Sequence, residues 1–163
     1  MPQTTIKYRT HHFGRTLPIG IAAGFAGGAA EVAWIALYAQ LSGTDAAAVA
    51  NGVTVSLIPA LAAAPAAVPL GIALHMALAL LLGAAIAVLL RTGAPRLAGT
   101  LWEALAVIGL LVAVWAVNFL VVLPVINPGF VELVPLGVGL ASKVLFGAAA
   151  ASVLSYRSRR RAE

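Results

Sequence analysis

Four uninterrupted apolar runs dominate the chain, at about residues 17–41, 66–90, 101–123 and 136–155. A helix rises ~1.5 Å per residue and a bilayer's hydrocarbon core is ~30 Å thick, so about twenty residues cross it. Each run is at least that long. Lipid cannot hydrogen-bond the backbone, which leaves only helices and closed barrels as spanning structures. The runs lack the in–out alternation of barrel strands. We therefore expect an all-α membrane protein in which residues 1–163 form a single four-helix transmembrane domain.

Composition narrows the function classes. Hydrophobic residues make up 62% and charged residues 9%, against ~45–50% and ~25% in soluble domains. So few charges cannot cover a water-facing surface, which excludes a soluble globular enzyme. Disorder needs the opposite balance. The chain has no cysteine, so disulfides, Cys-ligated zinc, iron–sulfur clusters and c-type haem attachment are excluded.

Basic residues set an orientation. Lys7, Arg9 and Arg15 precede the first run, Arg91 and Arg96 separate the second from the third, and Arg157, Arg159, Arg160 and Arg161 follow the fourth. Of the ten Lys and Arg, all but Lys143 fall on one side of the membrane. The positive-inside rule makes that side cytoplasmic, with both termini there. The net charge of +5 follows from this bias and does not point to nucleic acid. The tail Tyr156 to Arg161 reads as a stop-transfer anchor that can also touch anionic lipid heads. His11 and His12 read as solvated interface residues. The first run exceeds the h-region of a signal peptide and lacks a small-x-small cleavage site at its end, so it is expected to stay as a span. An Ala-, Gly- and Arg-rich chain of this kind suits a bacterial inner membrane.

Two stretches look alike. Val68-Pro69-Leu70-Gly71 opens the second run and Val134-Pro135-Leu136-Gly137 the fourth, with Leu57-Ile58-Pro59 and Val122-Leu123-Pro124 upstream. The pattern suggests two parallel helical hairpins related by an axis along the membrane normal, although Pro in a first helical turn is common on its own. The outer loop at 42–65 is expected to hold a short helix capped by Thr44 or Asp45. Asn51-Gly52 reads there as a turn or break. Asn127-Pro128-Gly129 marks a compact second outer turn.

Ionisable groups at bilayer depth are costly, so their placement carries functional information. Counting ~1.5 Å per residue from the outer end of each run puts Glu31, His75, Lys143, Asn118 and Trp115 all roughly 7–15 Å below the outer boundary. Four helices would thus contribute one polar layer. Each ionisable group also lies on a stripe of small residues spaced by three or four: Gly20, Gly24, Gly28 and Glu31; Gly71, His75, Ala79 and Gly83; Gly139, Lys143 and Gly147. Such stripes mark close helix packing, so the polar groups should point into the bundle. A Glu31–Lys143 ion pair is the economical arrangement, with His75 bonded to either. The layer either fixes helix register or carries a proton, cation or small solute. One Glu and one His are too few for a metal site, and no cofactor is expected.

Glu103 sits one turn into the third run near Arg96, as a surface ion pair or an acid favoured at a helix N-terminus. Trp102, Tyr156 and Tyr38 read as interfacial belt residues. Trp34 either walls the polar layer or anchors in lipid. No G-x-S-x-G, Walker A, H-E-x-x-H or helically spaced acid pair occurs, so no catalytic residue is assigned and the chain is expected not to be an enzyme.

Ala30-Glu31-Val32 closing a Gly/Ala-rich first span, His75 in the second, Leu101-Trp102-Glu103 opening the third and the turn from Pro124 to Pro135 form a set. Together they resemble small, uncharacterised four-helix bacterial inner-membrane proteins of the acid-resistance-associated type. The resemblance implies the four-helix inner-membrane layout and no established mechanism. Such proteins often carry a His one turn before a Gly in the fourth helix, where this chain has Lys143 before Gly147.

Two functions follow as expectations. One is a non-enzymatic accessory subunit, packing by its glycine stripes against itself or other membrane subunits within the lipid bilayer. The other is a small transporter or proton/cation conductor using Glu31, His75 and Lys143.

Overall fold

The computed structural model describes residues 3–159, with side chains from Thr16 to Tyr156. The side chains of Lys7, Arg9, His11, His12, Arg15 and the Arg157–Arg161 tail lie outside them. The described residues contain no strand. In chain order they form α1 (Gln3–Ser42), α2 (Ala46–Leu57), α3 (Ala67–Gly93), α4 (Leu101–Val117), a π-helical turn (Asn118–Val122), α5 (Leu123–Ile126), α6 (Pro128–Leu133) and α7 (Leu136–Arg159). Four stretches are long and apolar enough to cross a membrane: Thr16–Ser42, Ala67–Gly93, Leu101–Ile126 and Leu136–Tyr156. They match the four sequence runs, with the second and third extended by three residues at their ends.

Local chemistry explains the breaks. Gly43 (φ 74°) and Gly99 (φ 77°) are in the left-handed region, which costs glycine nothing and side-chain-bearing residues a good deal. The first turns the chain out of α1, and the second turns it into the cap of α4. Asp45 caps α2 by accepting from the Ala47 N–H at 2.8 Å. Thr100 caps α4 by accepting from the Glu103 N–H. Pro124 cannot donate to Leu120, and its ring crowds that carbonyl. The third span absorbs this by widening just before the proline, where the Leu123 N–H reaches back five residues to the Asn118 carbonyl. Asn51-Gly52, read from sequence as a break, lies inside α2 instead. An apolar helix packed on both sides tolerates one glycine, and here Gly52 makes room for the Phe130 ring of α6.

α1 is the central helix. It lies along α3 on one side and along α7 on the other, and α4 covers the far side of α7. Gly20, Gly24 and Gly28 of α1 meet Ala87, Ala79 and Met76 of α3 in reverse order, while Gly27 meets Phe146 of α7. Neighbouring helices are therefore antiparallel. The start of α1, the end of α7 and the α3–α4 connection share one end of the bundle; α2 and α6 share the other.

Two apolar cores follow. One joins Ala23, Ala87, Leu90, Leu111, Phe146 and Leu154 towards the Arg91 end. The other joins Val49 of α2 to Phe119, Leu123 and Val134, with Trp115 and Val138 beside them. α3 and α4 scarcely touch, and α2 fills the space between α3 and the third span at the opposite end. The paired Val-Pro-Leu-Gly stretches are not packed alike. Gly71 abuts the Ala50 carbonyl of α2, whereas Gly137 faces open space. An axis exchanging the hairpins would also turn the long α1–α7 contact into an α4–α3 contact of equal length.

Candidate functional site

Midway along the α2-end half of α1, Glu31 is 3% exposed. An isolated carboxylate there would be strongly disfavoured, and α7 supplies what it needs. Lys143 Nζ lies 2.7 Å from Oε1 and 2.8 Å from Oε2. Ser142 Oγ donates to Oε1 at 2.8 Å and also lies 2.9 Å from the Gly139 carbonyl. A hydroxyl has one proton, so these two contacts share it. From α3, His75 Nε2 comes to 3.8 Å from Oε2.

Helix geometry brings these groups together. On α7, Val138, Ser142 and Phe146 are spaced by four and face α1. Ser142 binds Glu31, Phe146 fills the notch at Gly27, and the Val138 carbonyl accepts from Trp34 Nε1 at 3.1 Å. Trp34 thus belongs to the α1–α7 seam. Gly139 and Gly147 face the other way, against Phe119, Trp115 and Ile108 of the third span. Lys143 is rooted between them, and its long stem carries the ammonium back to Glu31 with the Phe146 ring centroid 5.6 Å from Nζ.

The structure unites Glu31, His75 and Lys143, and adds Ser142, which the sequence reading missed. Its signal was available: position 142 falls on the same face as Val138 and Phe146. Asn118 does not join. It opens the π-helical turn, and its side chain has no hydrogen bond to the cluster. The expected four-helix layer is thus a three-helix cluster. Trp115 comes close only through Gly139, and its Nε1 is buried without a hydrogen-bond partner. Of the glycines, Gly20, Gly24, Gly28 and Gly83 form the α1–α3 contact, Gly71 packs on α2, and Gly139 and Gly147 pack on the third span. Among the described residues, no group of three or more His, Cys, Asp or Glu is placed to hold a metal ion.

A second ionic site closes the other end. Glu103 is fully buried, pairs with Arg91 Nη1 at 2.5 Å and accepts from the Gly99 N–H at 2.7 Å. Of the two expected roles, the surface ion pair near Arg96 gives way to this buried pair with Arg91, whereas Glu103 does stand as the acid in the first turn of α4. Arg91 stands in the last turn of α3, within reach of the first turn of α4. Comparison with protein-family models, curated proteins and solved structures finds no match to this chain.

Proposed function

We propose that this chain is a multi-pass protein of the bacterial inner membrane, with both termini cytoplasmic, that serves as a non-enzymatic helix-packing subunit of a larger membrane assembly. The orientation rests on the basic residues gathered at the end shared by both termini and the α3–α4 connection. The packing role rests chiefly on one observation: both oxygens of Glu31 are engaged by α7, so the charge ties two helices together. Bulky apolar side chains such as Phe25, Leu81, Leu120 and Val121 face outward, which suits lipid or a companion helix. The layout also supports grouping the chain with the small four-helix inner-membrane proteins it resembles.

A second reading, a small proton or cation conductor, is favoured by His75, whose Nε2 is buried and unbonded beside the carboxylate. Liposome flux separates the two. The packing reading expects wild type and Glu31→Gln to leak equally, and the protein to hold a fixed stoichiometry with itself or a companion in mild detergent. Cation or proton flux above leak, lost in Glu31→Gln, would overturn it in favour of the conductor.

A further inference from the structure

The Glu31 cluster holds more acceptors than its salt bridge uses. His75 Nε2 has no hydrogen-bond partner, and 3.8 Å to Glu31 Oε2 exceeds the ~2.7–3.2 Å of an N–H···O bond. When the neutral ring carries its proton on Nδ1, Nε2 turns a lone pair towards a carboxylate oxygen. Two acceptors facing each other call for a positive charge between them. On the other side of the carboxylate, the Ser142 hydroxyl bridges to the Gly139 carbonyl, which adds two more oxygens.

Lys143 supplies the positive charge, but it is an indirect occupant. Its backbone lies on the stripe that faces the third span, and only its flexible stem brings the ammonium to Glu31. The Phe146 ring, 5.6 Å from Nζ, offers a cation a resting place when it moves off. We propose that the Lys143 ammonium is a tethered occupant of a monovalent-cation site. A sodium- or potassium-sized ion competes with it for Glu31, within an array formed by the carboxylate, Ser142 Oγ, the Gly139 carbonyl and His75 Nε2. The exchange replaces one positive charge by another, so the buried carboxylate is never left unpaired. A single carboxylate matches a single charge, and hard oxygen donors suit an alkali cation better than a thiophilic metal. The inference rests on the cation reading above and names its ion, but it is decided by binding and not by flux.

The test uses the full chain in mild detergent at pH 8, comparing sodium or potassium chloride with choline chloride at equal concentration. Lys143→Met removes the tethered competitor. At about tenfold excess of ion over its Kd, its Tm should rise by about 3 °C or more over choline. Wild type should rise less. Adding Ser142→Ala should shrink the gain, and adding Glu31→Gln should abolish it. If Lys143→Met does not fold, radiolabelled sodium binding to wild type decides, with binding expected in wild type and absent in Glu31→Gln. A variant indifferent to cation identity, or sodium binding equal in wild type and Glu31→Gln, overturns the proposal. Stabilisation by acid alone also overturns it and assigns the site to a proton, which leaves the conductor reading standing. Ion binding without flux leaves the site standing and removes the conductor reading.

Discussion

The ammonium of Lys143 bridges both carboxylate oxygens of Glu31, at 2.7 and 2.8 Å, across 112 residues of chain. Ser142 Oγ and the Trp34 indole add hydrogen bonds along the same α1–α7 seam. Between apolar helices in lipid there is no hydrophobic driving force, so close packing and such polar contacts hold the bundle together. The rest of the molecule supports this joint by close approach.

The α1–α3 contact should fail on the smallest enlargement. A Cβ at Gly24 would run into the Ala79 carbonyl, and one at Gly83 into the Gly24 backbone. Neither obstacle is a flexible side-chain tip. Gly24→Ala should therefore destabilise the protein by about 1–3 kcal/mol or more. Gly109→Ala, which meets nothing within 4 Å, should be neutral or stabilising by up to ~1 kcal/mol. Thermal melts in detergent compare the two.

The Arg91 end offers a second check. Arg91→Met leaves the buried Glu103 without its cation, and should cost about 1–3 kcal/mol. This is less than the ~3–5 kcal/mol of a fully buried pair, because Arg91 is 23% exposed. Thr100→Ala removes the α4 cap and should cost ~1 kcal/mol. Denaturant titration followed by helical circular dichroism measures both.

Asn127 latches the two short helices of the opposite end, donating to the Gly52 carbonyl at 3.1 Å and to Ser56 Oγ at 3.0 Å. Each hydrogen bond is worth ~0.5–1.5 kcal/mol net. Asn127→Ala should therefore speed amide exchange across α2 by roughly tenfold while leaving the centre of α1 unchanged. Hydrogen exchange read by mass spectrometry would show whether α2 loosens alone.

Much of this was legible from the sequence, and for definite reasons. Run length gave the four long helices, because in an apolar chain little competes with that signal. Spacing by three and four placed Glu31, His75 and Lys143 on small-residue faces, and side chains that long can bridge errors of several ångströms in depth. Ser142 was passed over because a lone serine in a membrane helix most often bonds back to its own helix. It does so here as well, to Gly139. Asn118 misled because depth alone does not fix azimuth, and the Pro124-induced π-helical turn alters the azimuth just there. Asn51-Gly52 misled because local turn chemistry gave way to packing against Phe130. The preference of Glu103 for Arg91 over Arg96 depends on how α3 ends relative to α4, which no local pattern contains.

The double-mutant cycle over Glu31→Gln and Lys143→Met, read as unfolding free energy in detergent, bears most directly on the α1–α7 joint. Each single substitution should cost about 3–5 kcal/mol by leaving a charge or an orphaned donor inside. The double variant should cost markedly less than their sum, giving a coupling of at least ~1.5 kcal/mol. Additivity within ~0.5 kcal/mol would mean that the two charges do not meet in the folded protein, and would contradict the account.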